Sequence, residues 1–79
     1  MTLDQLDTGM TAAIISIAPG GHGDRLMEMG LIPGTPVRVI RRGAWRGPLQ
    51  VSLRGAIICI DANEAKTVSI GTLNIHDDS

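Results

Sequence analysis

Three side chains in the first part of the sequence have the types and spacing that could hold a metal ion. His22, Asp24 and Glu28 offer one imidazole and two carboxylates, which divalent transition metals accept as ligands. Asp24 and Glu28 are four residues apart and would share one face of a helix. Polar residues beside a glycine-rich loop are more often simply solvated, so the sequence predicts no resident metal and keeps these three residues as candidates.

Patterns that support catalysis are missing from the sequence. It contains no Ser-His-Asp arrangement and no paired carboxylates, and residues 19–23 lack the Lys-Ser/Thr of a phosphate-binding loop. Cys59 lies between Ile58 and Ile60, where a buried, unreactive thiol is expected. We therefore expect a protein that is not an enzyme.

Charge is distributed unevenly along the 79 residues. The net charge is −1, yet the interval between Glu28 and Asp61 contains no acidic residue and holds all of the following basic ones: Arg38, Arg41, Arg42, Arg46 and Arg54. This distribution predicts one basic surface patch. Nucleic acid is the less favoured partner, because the whole chain is slightly acidic and only Trp45 could stack on bases.

A protein partner fits the arginines better, because Trp and Arg dominate binding hot spots. Trp45 and Arg46 lie in a loop bracketed by Gly43 and Gly47, and Arg42 is close by. These three side chains are predicted to bind a partner. The alternative for Trp45 is that it folds back as a lid over the core.

The elements that must position these side chains begin with one short helix. Leu26 and Met29 are three apart and would share its buried face, and Asp24 is preferred to His22 as its N-cap. Gly30 is suited to the left-handed conformation that closes a helix, with Leu31 packing back onto Leu26.

Short strands and tight turns account for the rest of the chain. Pro33-Gly34 turns the chain out of the helix, and Gly55 suits a two-residue hairpin turn. Strands are predicted at residues 11–17, 35–42, 48–53, 56–60 and 66–70, a 3₁₀ turn at 61–65, and a polar tail at 71–79. The run 56–60 is almost wholly apolar, which is typical of a central strand.

These elements predict one domain of mainly β class with a core at about residues 3–70. We expect a small antiparallel barrel of about five strands, with the short helix in its first crossover. Hydrophobic residues make up 43% of the chain and aromatic residues 1%, so aliphatic side chains must fill the core. Closure of the sheet is expected to leave no exposed edge.

Compartment signals point to the cytoplasm. The single cysteine cannot form an internal disulfide, and residues 1–8 do not resemble a signal peptide. No apolar run approaches the ~20 residues that span a bilayer. We expect a cytoplasmic protein that does not insert into a membrane.

Several motifs resemble the ferrous iron transport protein A (FeoA) family over most of the chain. The matching positions are Thr2, Leu3, Leu6 and Gly9, then Arg25, Leu26, Gly30, Leu31, Pro33 and Gly34, and finally Pro48, Gly55, Glu64 and Ala65. Departures from the family pattern fall in two loops, at residues 45–48 and 61–63. The resemblance implies an SH3-like barrel.

The same resemblance implies an accessory of FeoB, a membrane permease for ferrous iron with a cytoplasmic GTP-binding domain. Met27, Glu28 and Ile32 would then face the partner. Arg25 is also a candidate partner-binding residue; a surface ion pair is the favoured interpretation of its side chain, and action on GTP hydrolysis by the partner is the alternative. A second interpretation is a stand-alone metal-responsive module, since the family also resembles the C-terminal domain of DtxR-type repressors. Ferrous iron binding and weak homo-oligomerisation stay open.

Overall fold

The computed structural model describes residues 1–20, 23–44 and 47–72. These residues form five β-strands and three short helical segments. A 3₁₀ turn over Leu3–Gln5 precedes the following elements: β1 (Thr11–Ile17), α1 (Gly23–Glu28), β2 (Pro36–Arg42), β3 (Leu49–Leu53), β4 (Ala56–Ile60), α2 (Ala62–Ala65) and β5 (Val68–Thr72). The strands form one sheet in the order β4-β3-β2-β1-β5, and every neighbouring pair is antiparallel. The predicted mainly β class and the helix in the first crossover are confirmed.

Alternation along the strands builds an aliphatic core, as the composition requires. Val37 and Val39 of β2 are fully buried while Arg38 between them is exposed. In β3 the residues Leu49, Val51 and Leu53 are buried, and the two residues between them are half-buried. This alternation places one face of the sheet against the core.

The end of α1 has the predicted geometry. Gly30 has φ +106°, its backbone N–H donates to the carbonyl of Met27 at 3.0 Å, and that of Leu31 donates to the carbonyl of Leu26 at 3.0 Å. These two bonds define the Schellman motif. Leu26 and Leu31 are both fully buried, so the motif anchors the helix end in the core.

The turn at Pro33-Gly34 then directs the chain into β2. The Thr35 N–H donates to the Ile32 carbonyl at 3.0 Å, and Gly34 has φ +92°. A type II turn has a hydrogen bond from its fourth residue to its first, here Thr35 to Ile32, and a positive φ at its third residue, here Gly34. The Gly34 N–H also reaches the Ile14 carbonyl at 2.7 Å, which ties the turn to β1.

Several predicted boundaries differ from the structure. Asp24 is not the N-cap, because α1 begins at Gly23 and places Asp24 inside its first turn. Strands β2 and β3 each begin one residue later than predicted. The predicted 3₁₀ turn is the α-helix α2 with Asp61 as N-cap, and its C-cap Lys66 still has helical φ and ψ. As a result β5 begins at Val68 and extends to Thr72.

Two predictions are wrong for the described residues: that residues 56–60 form a central strand, and that closure of the sheet leaves no exposed edge. Strand β4 lies at the end of the sheet order, and Ile57 and Cys59 are exposed. The expected burial of the Cys59 thiol is wrong for the same reason. A wholly apolar strand is buried only when both faces of its sheet are covered. None of the described residues covers the outer face of β4.

Candidate protein-interaction site

Two exposed apolar side chains stand on α1 and its exit. Met27 is 48% exposed and Ile32 is 42% exposed, and Glu28 beside Met27 is also exposed. We call Met27, Glu28 and Ile32 the α1-exit surface. The Schellman motif positions it, because burial of Leu26 and Leu31 in the core leaves this surface exposed to solvent.

Arg25 joins α1 to α2. Its guanidinium forms an ion pair with the carboxylate of Glu64, which is buried. Glu64 also closes the capping box of α2: its Oε1 accepts from the Asp61 N–H at 3.1 Å, and its own N–H donates to Asp61 Oδ1 at 2.8 Å. Arg25 thus forms an ion pair, but with a buried carboxylate and not with the surface partner that the sequence suggested. Its role toward a binding partner stays a prediction.

Reasoning from the sequence missed Glu64 as an organising residue. The spacing Asp61-x-x-Glu64 matches a capping box and could have revealed the helix. No local signal indicates that the same carboxylate meets Arg25, because that contact joins residues 39 positions apart in sequence.

Arg42 is engaged with the N-terminal segment. Its Nη1 donates to the Asp4 carbonyl at 2.8 Å, and its Nη2 donates to the Leu6 carbonyl. The side chain therefore fastens the lead-in segment to the end of β2. Its predicted role in partner binding stays untested, but the two bonds restrict how its guanidinium can meet another protein.

Three other arginines are exposed: Arg38, Arg41 and Arg54. Arg38 lines a shallow depression of about 340 Å³ together with Gly9, Val39, Ile40 and Ser52. Exposed arginines attract an acidic partner mainly by speeding association, and that role stays a prediction for this chain. Trp45 and Arg46 lie outside the described residues, so their predicted contribution to it remains a prediction.

Metal ligands do not cluster in the part of the chain that the structure describes. Within residues 1–20, 23–44 and 47–72, no group of three or more His, Cys, Asp and Glu side chains is placed to hold a metal ion. Asp24 and Glu28 are both exposed on α1, and His22 lies outside the described residues. The prediction that the chain has no resident metal is therefore untested.

None of the helices in the described ranges combines the length and apolar character needed to cross a membrane.

Solved structures with this fold include several proteins of one family. The FeoA protein from Chlorobium tepidum has a TM-score of 0.85 at 28% identity, over 98% of this chain and 74% of that chain. FeoA from Stenotrophomonas maltophilia, solved with zinc, has a TM-score of 0.80 at 28% identity, over 90% of this chain and 89% of that chain. That protein is described as a prokaryotic SH3 domain protein and a proposed activating factor of bacterial ferrous iron transport. The SH3-like fold expected from the sequence is thereby confirmed.

The fold also occurs inside larger regulators. A manganese-dependent transcriptional repressor complexed with manganese has a TM-score of 0.85 at 18% identity, with 92% of this chain matching 36% of that chain. At this identity the likeness shows the fold alone. No curated protein sequence is significantly similar to the chain.

Sequence comparison at the level of whole families agrees with the structural likeness. The model of the FeoA domain matches residues 1–71, which include the 3₁₀ turn, both α-helices and all but the last residue of β5. With nine-tenths of its length matched by that one model, the chain belongs to the FeoA domain family.

Proposed function

We propose that this protein is a cytoplasmic accessory of a FeoB-like ferrous iron permease and acts by binding its GTP-binding portion. Membership of the FeoA domain family carries this proposal. The absence of a catalytic constellation in the sequence agrees with a role that depends on protein contact. The Stenotrophomonas relative is a proposed activating factor of ferrous iron transport, which supports an accessory role for this chain.

The α1-exit surface is the docking surface we favour. Met27 and Ile32 are large apolar side chains that remain exposed, and burial of each by a partner would contribute about 1–2 kcal/mol. Arg25 and Arg42, by contrast, already hold intramolecular partners. Exposed apolar groups beside charged ones are typical of interface centres with a polar rim.

A binding titration tests this surface. The double variant Met27→Ala/Ile32→Ala should weaken binding to the purified GTP-binding portion of the permease by at least about tenfold, because both apolar contacts are lost. Titration calorimetry would measure the change. Met10→Ala is the matched control, since Met10 is 53% exposed but lies before β1. Equal affinities for the double variant and the wild type would reject the α1-exit surface.

The same titration examines the other predicted partner residues. Trp45→Ala should weaken binding while leaving the fold intact if the loop meets the partner, whereas a lid role would lower the melting temperature instead. Rates of GTP hydrolysis by the permease, measured with wild-type protein and with Arg25→Lys, would show whether Arg25 acts on the nucleotide. The lysine keeps the charge near Glu64 but loses the guanidinium fork.

We further propose that the module works without a resident metal. Ferrous iron and zinc, titrated separately into the protein, should show no binding tighter than the micromolar range. A site at His22, Asp24 and Glu28 would instead give tight binding that is lost in His22→Ala. That outcome would favour the second interpretation, a metal-responsive module of the repressor type, for which the described residues offer no specific observation.

A further inference from the structure

Strand β4 lies at one edge of the described sheet. Of the strands within residues 1–20, 23–44 and 47–72, only β3 pairs with it. The opposite edge of the sheet is partly covered, because Thr2 forms a bridge with Ser69 and the Ile70 N–H donates to the Met1 carbonyl at 2.9 Å. An open edge can pair with a strand from another chain.

The hairpin geometry shows which backbone groups β4 directs outward. Arg54 and Gly55 form a two-residue turn with φ values of +51° and +80°, as in a type I′ hairpin. The pair that flanks such a turn, Leu53 and Ala56, is hydrogen-bonded, and bonded and non-bonded pairs then alternate. The backbone N–H and C=O groups of Ala56, Ile58 and Ile60 therefore point toward β3.

The remaining residues of β4, Ile57 and Cys59, direct their N–H and C=O groups away from β3. They present two donors and two acceptors on a strand that contains no charged residue and no proline. Natural edge strands commonly use Lys or Pro to block pairing, and the interior of β4 has neither. Its backbone is thus available to an incoming antiparallel strand.

We propose that β4 pairs with β4 of a second copy of this chain, antiparallel about a two-fold axis at Ile58. A two-fold axis perpendicular to the sheet places the outer faces of the two copies on the same side of the joined sheet. Residues that oppose each other across the axis therefore lie on the same face. In this register Ile57 of each copy opposes Cys59 of the other, and four backbone hydrogen bonds form. Ile58 opposes its own counterpart in a close, non-hydrogen-bonded pair.

Side chains complement each other in the same register. Ile57 is 64% exposed and shares its face with the exposed Cys59, so two copies would cover four apolar side chains at the centre. The cross-strand neighbours within each copy, Ser52 and Gln50, are uncharged and create no repulsion there. The central contact is therefore apolar on its outer face.

Charge at the two ends favours a second copy over an arbitrary extended peptide. Arg54 precedes β4 and Asp61 follows it, and both are exposed. In this register Asp61 of one copy opposes Gly55 of the other, so the oppositely charged Arg54 lies one residue from the opposed position, and symmetry repeats this arrangement. Opposite charges near each other at both ends of the paired strands favour this arrangement.

The interface would be small, because each copy contributes one strand of five residues. Contacts of this kind bury less than the ~1,200 Å² of a stable complex, so we expect a weak dimer that depends on concentration. The contact lies on β4 and makes no use of the α1-exit surface, so failure of either proposal leaves the other standing.

Sedimentation equilibrium over a range of concentrations tests the dimer. The wild-type protein should shift from the monomer mass of 8.3 kDa toward twice that value. Ile57→Pro removes an N–H that points outward and leaves the bonds to β3 intact, and it should weaken self-association by at least about tenfold. Ile57→Lys, which places a charge on the edge, should do the same without altering the backbone.

Ile15→Lys is the matched control, because Ile15 is 57% exposed but belongs to β1, which is paired on both sides. It should self-associate like the wild type. Circular dichroism of each variant verifies the fold. A wild-type protein that stays monomeric throughout, or self-association that is unchanged in Ile57→Lys, would overturn the proposal.

Disulfide trapping tests the register. In Ile58→Cys/Cys59→Ser, the two introduced thiols face each other across the axis with Cα atoms ~4.5 Å apart, within disulfide range, and oxidation should link the dimer. In the wild type the two Cys59 residues lie diagonally, at roughly 8 Å, which is too far. Efficient linkage through Cys59 without linkage through position 58 would reject the proposed register.

Discussion

Some side chains stabilise the fold of this protein although they are exposed to solvent. Arg25 lies in α1 and Glu64 in α2, and their ion pair links the two helices. The carboxylate is buried and also completes the capping box. Removing one partner of such a pair costs more than the pair contributes, because a buried charge loses its compensation.

Arg25→Ala should therefore lower the free energy of unfolding by about 1–2 kcal/mol, a value reduced by the exposure of the guanidinium to solvent. Urea denaturation would measure it. Glu64→Gln keeps the capping acceptor and removes the charge, so the double variant completes a thermodynamic cycle. Additive effects of the two substitutions would show that the ion pair has no coupling energy.

Among the elements, α1 depends on how it ends. A helix of six residues is too short to be stable alone, and the Schellman motif holds its last turn against the core. Gly30 enables that motif because φ +106° strains any residue with a Cβ. A Cβ at this position would also lie 3.2 Å from Leu53 Cδ1, which requires the leucine to shift.

Gly30→Ala should lower stability by about 1–2 kcal/mol, from the left-handed conformation and the close contact together. For a domain of this size each kcal/mol corresponds to roughly 4–8 °C in the melting temperature. Gly23→Ala is the control, since its Cβ would make only ordinary contacts, at 3.4 Å or more. A melting temperature for Gly30→Ala equal to that of Gly23→Ala would contradict this account.

Much of the local structure was predictable from the sequence because its signals are local. The bounds of β1 and β4, the Schellman closure at Gly30 and the turn at Pro33-Gly34 all follow from residue type and spacing. Each is decided by neighbours within about five positions, through backbone sterics and hydrogen bonds. Met27 and Ile32 of the α1-exit surface are exposed, and their role toward a partner stays a prediction.

Which strands face solvent depends on the tertiary fold of the whole molecule. The apolar run of β4 predicted a central strand with a buried thiol, yet the sheet order puts it at an edge with Cys59 exposed. Strand order depends on pairing between distant segments, which hydrophobicity within one segment does not encode. The same long-range packing brought Arg42 onto the carbonyls of Asp4 and Leu6, although its charge suggested a free surface group.

Local patterns in the sequence are enough to predict the β class, most strand positions, the closure of α1 and the resemblance to the FeoA family. These features depend on periodicity, on turn chemistry and on motifs of closely spaced residues. Tertiary packing establishes that Arg25 pairs with Glu64, that Arg42 fastens the N-terminal segment, and that β3 alone among the described strands pairs with β4. Those outcomes join residues tens of positions apart, and their free energies come from packing and desolvation that exist only once the chain has folded.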